Sequence, residues 1–280
     1  MAIRRYKATA DNTIANGYQE NLATRATGSN MGLADVSEVY SIYGRQSAAS
    51  SELSRIITQF DVASITADRN AGDIPASGQV KFYLKLYNAE TSKTVPKDFK
   101  LVVEAISRAW TEGDGLDLEN YKDLGVSNWI SASSGVAWTT AGGDYHATPT
   151  YERTFETGLE DLEIDISTLV EQWIAESKAN YGVGVRLTSS LESATDSYYT
   201  KRFFARGTQY FFKKPVIEAR WDSSIQDDRG DFYMSSSLAP ASDNLNTLYL
   251  YNYIRGQLTN IPAVGTGEIY VDLYETLGET

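Results

Sequence analysis

At 280 residues with 42% hydrophobic side chains, the chain can bury a sizeable core as one large β domain or two smaller ones, and global disorder is not expected. It has no cysteine, which removes disulfides, thiol catalysis and Cys-ligated zinc. A net charge of −12 argues against a general nucleic-acid binder, because neutralising phosphates takes an excess of Lys and Arg.

The chain starts MAIRRYKATADNTIANG, with positive charge but no apolar segment behind it, so no secretory leader is expected. No run approaches ~18 apolar residues, so no membrane span is expected. Residues 1–34, rich in Ala, Thr and Asn, read as a strand or as an arm that folds on assembly. From residue 35 on, short apolar runs recur between Gly, Ser, Asn and Asp. Val36–Tyr43, Leu53–Phe60 and Val80–Tyr87 alternate with period two, and Phe99–Ile106 continues the series. The stretch Thr111–Tyr151 is long, Gly-rich and aromatic, and reads as an elaborated loop with short strands around Trp129 and Trp138.

The period then changes. In residues 165–177 (DISTLVEQWIAES), Ile166, Leu169, Val170, Trp173 and Ile174 fall on one helical stripe. This predicts a single amphipathic helix capped by Asp165, or by Thr168 with Glu171 as a capping box. Strand patterns resume at Tyr181–Leu187, Phe203–Ala205 and Val216–Trp221. A polar boundary, DSSIQDDRGD, follows Trp221, and residues 222–280 read as a small β unit. Together these elements predict an all-β protein: a jelly-roll β-sandwich over 35–221 with one helix, followed by a C-terminal β appendage.

Several clusters could carry chemistry. Glu112, Asp114, Asp117 and Glu119 lie within eight residues among glycines, an oxygen-rich loop of the kind that holds Ca²⁺, although the EF-hand spacing is absent. Calcium is the one cofactor the sequence offers; a solvated acidic loop is the plainer reading. Trp129, Trp138 and Tyr145 would suit sugar stacking if exposed, and would anchor the loop if buried. The lone histidine, His146, sits in GGDYHATP with no nucleophile motif nearby, and no carboxylate pair stands out, so an enzyme is not expected. Arg229-Gly230-Asp231 spells an adhesion tripeptide but reads as a charged interdomain turn.

The stretch Thr200–Trp221 carries six basic and six aromatic side chains with one acid, Glu218. Its aromatics are expected to fill the sandwich core, and Lys213-Lys214-Pro215 to blunt a strand edge. In the C-terminal unit, Leu248, Leu250, Tyr251, Tyr253, Ile269 and Val271 lie on apolar strands and are the expected assembly surface.

In order and spacing, SRIITQFDVASI (54–65), QVKFYLKLYNAE (79–90), AISRAWTEGDGLD (105–117), DISTLVEQWIAESKANYGVGVRL (165–187) and FFARGTQYFFKKPVIEARW (203–221) resemble the DNRLRE-type domains, jelly-roll modules akin to carbohydrate-binding modules. The loop 111–151 departs from that pattern, which has a shorter connection after Trp-x-Glu. TEGDGLDLENYKDLGVSNW, KKPVIEARWDSSIQDDRGDFYMSSSLAP and DNLNTLYLYNYIRGQLTNI also resemble virion proteins of tailed phages, especially marine ones. That resemblance implies a structural component of the particle: a capsid decoration, a collar or neck element, or a tail or fibre part. Its partners would be other virion subunits, copies of itself among them. It would be made in the host cytoplasm and released by lysis, with no nucleic-acid or membrane partner. The alternative implied by the first resemblance is a carbohydrate-binding module recognising a polysaccharide or host-surface glycan.

Overall fold

A computed structural model of the chain describes residues 2–44, 50–91, 95–116, 118 and 125–223, and beyond these only 237–238, 240, 245–246, 253–254 and 257–258. Residues 1–222 form one compact unit and residues 223–280 a second. The first unit contains, in chain order, β1 (Ala2–Ala15), β2 (Val36–Gly44), β3 (Ser50–Phe60), α1 (Val62–Ala71), β4 (Val80–Leu86) and β5 (Phe99–Ile106). Then come the short β6 (Ser131–Ser133) and β7 (Val136–Ala137), β8 (Tyr145–Phe155), β9 (Leu162–Asp165), α2 (Ser167–Ile174) and β10 (Val183–Leu187). The one-turn α3 (Ser189–Glu192), β11 (Tyr198–Phe204), a 3₁₀ turn at Phe211–Lys213 and β12 (Val216–Trp221) complete it. In the second unit, β13 (Tyr253–Ile254) and β14 (Gln257–Leu258) pair as a two-stranded ribbon.

The first unit is a jelly-roll-like β-sandwich of antiparallel strands. One wall runs β1–β12–β4–β9, the other β1–β3–β10–β5–β8, with β2 pairing β3 and β11 pairing β2. Strand β1 belongs to both walls. Ala2–Lys7 pair with β12, Ala8–Ala15 pair with β3, and the register shifts between Ala8 and Ala10, where the strand turns the corner. The N-terminal segment is thus a full member of the sandwich.

Period-two alternation sets the core. Val80, Phe82, Leu84 and Leu86 of β4 point inward, with Lys81, Tyr83 and Lys85 on the outer face. They meet Phe99, Leu101, Val103 and Ala105 of β5, Val183, Val185 and Leu187 of β10, and Ile217 and Ala219 of β12. Two helices close the core. On α2, Leu169, Val170 and Trp173 are buried, as the stripe predicts. Of the two expected caps, Asp165 is the one that acts: its Oδ1 accepts from the Ser167 amide at 2.9 Å, although Ile166 holds the cap position itself. The Leu169 amide donates to the Tyr151 hydroxyl at 3.2 Å, and Thr168 makes no cap bond among the described residues.

The expectation of a single helix is corrected by α1. Its signals are at its ends: Asp61 Oδ1 accepts from the Ala63 amide, and Gly72 in the left-handed region returns its amide to the Arg69 carbonyl. Between those caps Val62, Ile65 and Thr66 are β-branched and only Val62 and Ile65 are buried, so no helical stripe shows in the sequence. Arg69 joins α1 to α2 by a bidentate pair with Glu171, both bonds 2.7 Å.

Candidate functional site

The described part of the long connection after β5 does not hang free. It folds back over the outer face of the β3–β10–β5 wall and builds a second core from Ile14, Ile57, Ile106, Trp129, Ala132 and Trp138. Trp129 and Trp138 are only 6% and 5% exposed. The Trp138 Nε1–H donates to the Asn128 carbonyl at 2.8 Å, and Arg55 lies over the Trp129 ring, 5.2 Å from its centroid. The Tyr145 ring rests on β10 at Gly184, where a Cβ would come within 2.2 Å of Cε1; its hydroxyl donates to the Gly142 carbonyl. The three aromatics therefore anchor the loop. They form no open platform, and a sugar ring has no face of Trp129 or Trp138 to stack on. Beside them is a polar cleft of about 550 Å³. Its charges are matched in pairs: Arg55 with Glu192, Arg186 with Glu104 and Arg108 with Asp144. His146 lines it with a pKa lowered by burial and by Lys178, and makes no hydrogen bond to a serine among the described residues.

The acidic loop is also tied inward. Glu112 accepts from Arg206 Nε and Nη2 at 3.0 and 2.7 Å, and its Oε1 also accepts from the Asp11 amide at 2.9 Å. Asp114 is exposed, and Asp117 and Glu119 lie outside the described residues. Among the described residues no three acidic or histidine side chains converge in a way that could hold a metal ion. Of the four acids of this loop, Glu112 is thus taken up by Arg206 and Asp114 faces water. Close backbone packing fixes this geometry, since a Cβ on Gly113 would strike Asn30 Oδ1 at 1.9 Å and one on Gly32 would strike the Gly113 carbonyl at 2.1 Å.

Most of the basic side chains between 200 and 221 are satisfied within the fold. Lys201 is buried, donating to Asn88 Oδ1, the Gly158 carbonyl and the Glu160 carbonyl at 2.6 to 3.0 Å, and desolvation lowers its pKa to about 8. Arg202 pairs with Glu38, Arg206 with Glu112, and Arg220 with both Glu163 and Glu218. Lys213 and Lys214 remain, joined in space by Lys7 of β1. None of these three lies within 4 Å of a carboxylate among the described residues.

Lys7 and Lys213 lie against the rings of an exposed aromatic turn, and half-buried Lys214 follows it in the chain. Phe203 enters the core beside Phe155, but Tyr210, Phe211 and Phe212 are 52%, 58% and 75% exposed. Phe211 and Phe212 meet edge to face at 5.2 Å, Lys7 Nζ sits 3.1 Å from the Phe211 centroid, and Lys213 lies over Phe204. The expectation that all these aromatics fill the core is corrected. Three consecutive aromatics at the start of a 3₁₀ turn cannot all enter one sandwich, and Pro215 leads into β12 immediately afterwards. The edge-blunting role is corrected too, since β12 is paired on both sides.

Of the expected assembly surface, Leu248, Leu250, Tyr251, Ile269 and Val271 lie outside the described residues, as does Arg229-Gly230-Asp231, and only the backbone of Tyr253 is described, in β13. The exposed turn was missed in the sequence; its one signal was the unbroken Tyr-Phe-Phe between Gly207 and Pro215. Among the described residues no helix is long and apolar enough to cross a membrane. Compared with known protein-family models and with curated proteins, the chain gives no match.

Proposed function

We propose that the protein is a non-enzymatic structural subunit of a tailed-phage virion that works by packing against other subunits. The observation that carries this reading is the Tyr210–Phe212 turn with its unpaired lysines. A protein that works alone gains nothing from holding three adjacent large aromatics in water, whereas an apolar knob rimmed by unpaired charge suits protein–protein contact. The stretches that resemble virion proteins include the lysines of this turn and the strand that follows it. The paired charges in the cleft beside Tyr145 and the buried rings of Trp129 and Trp138 weigh against the carbohydrate-binding alternative.

The test is quantitative mass spectrometry and antibody labelling of density-purified particles from a culture that produces the protein. The expected result is a fixed number of copies per particle that survives washing in high salt. Recovery of the protein only in the soluble lysate, with none on the particles, would sink the reading.

A further inference from the structure

One end of the β1–β12–β4–β9 wall carries more than the aromatic turn. Strand β12 enters at Val216, opposite Lys7 of β1 and Lys85 of β4. Strand β4 leaves at Leu86, opposite Leu162, where β9 enters. The turn 210–214 and the β8–β9 connection, residues 156–161, therefore emerge at the same end of the wall, on its β12 and β9 sides. Main-chain bonds knit this end together: the Ala89 amide donates to the Arg202 carbonyl at 3.0 Å and the Phe204 amide to the Tyr87 carbonyl at 2.9 Å.

The two sides have opposite character. The β12 side presents Phe211 and Phe212 with Lys7 and Lys213 against the rings of this turn, and Lys214 next in the chain. The β9 side presents Leu159, 55% exposed, between the exposed carboxylates of Glu156 and Asp161. Exposed Glu90 and Asp98 belong to the adjoining β4–β5 connection, where Lys97 is the one exposed base among the described residues. The β9 side is held firmly. Asp161 Oδ1 accepts from the Asn88 amide at 2.8 Å, Glu160 Oε1 accepts from the Thr157 amide at 2.7 Å, and buried Lys201 grips the Gly158 and Glu160 carbonyls from beneath.

An end that is aromatic and basic on one side, aliphatic and acidic on the other, complements itself under a two-fold rotation. We propose that this end is an isologous interface between two copies of the chain, with Phe212, Lys213 and Lys214 of each copy against Glu156, Leu159 and Asp161 of the other. The inference rests on the packing reading above and deepens it by naming partner and surface. A second copy is favoured over an unrelated acidic protein because one chain already supplies both halves of the contact, apolar centre and opposite charge included.

The experiment is sedimentation velocity with light scattering on the full chain at low and high salt, about 50 and 500 mM, a range over which the screening length shortens several-fold. The expected species is a dimer that weakens as salt rises. Phe212→Ser and the two charge reversals, K213E/K214E and E156K/D161K, should each weaken self-association by at least about tenfold. Unchanged circular dichroism and melting would show that the variants are folded. An equimolar mixture of the two charge-reversed chains should recover a dimer, because each then carries the complement of the other.

A parent chain that stays monomeric at both salts overturns the proposal. So does an oligomer that the reversals leave intact, or a mixture that associates no better than its components. Particles that contain a monomer-forming chain would leave the packing reading standing without this interface. A dimer from a chain absent from particles would do the reverse.

Discussion

Asp11 lies on β1 where that strand enters the second wall, 1% exposed, and one of its oxygens, Oδ1, has no hydrogen-bond partner among the described residues. Its other oxygen accepts from the Arg206 amide. Burial pushes the carboxyl from 3.8 up to about 7; the Arg206 amide pulls against that shift and the Glu112 carboxylate adds to it, while the Arg206 and Lys214 side chains oppose it. Folding therefore takes up a proton between those two values, and the contribution of this residue to stability falls as pH rises through that window. Asp11→Asn keeps the shape and removes the titration. The expected outcome is a melting temperature close to the parent near about pH 4 and clearly above it near about pH 8. Thermal melts across that range test it, and a difference independent of pH would refute it.

Among elements, the connection between β5 and β8 departs furthest from its local pattern. It is long, yet it is pinned by tryptophans that complete a second core. Trp129→Ala should cost about 3 kcal/mol or more in denaturant unfolding, a loss expected for a buried ring and not for a loop residue in water. A loss below about 1 kcal/mol would mean that the loop is not held by that core.

This element also shows what could be read in advance. Strands such as β4, with strict alternation in VKFYLKL, were legible because one face is core and the other water. Strand β8 was not. It sits at the edge of its wall, its residues from His146 to Thr154 are largely exposed Thr, Glu and Arg, and it follows the loop without a break in composition. Trp129 and Trp138 were recognised as a cluster, but burial and stacking require the same residue types, so only packing could decide between them. The aromatic turn was hidden for a related reason: composition does not say which of Phe203, Phe204, Tyr210, Phe211 and Phe212 leaves the core.

On the scale of the molecule, both cores of the first unit are built, among the described residues, from side chains no later in the chain than Trp221. A chain ending at Asp222 should therefore unfold cooperatively, with a denaturant midpoint close to that of the same transition in the full chain. Loss of cooperativity on truncation would show that the second unit completes the first. The described charges of the first unit are likewise unevenly spread: arginines are largely matched to acids inside the fold, while Lys7, Lys213 and Lys214 have no carboxylate within 4 Å among the described residues.

The double membership of β1 has a consequence in time. Ala2 pairs opposite Trp221, so the first strand of the unit is completed by its last. On a ribosome, Ala2–Lys7 must wait without its partner strand until residues 216–221 have emerged, and only then can that wall zip shut. During that wait the like positive charges of Arg4, Arg5 and Lys7 disfavour pairing of this bare segment with the same segment of a neighbouring chain.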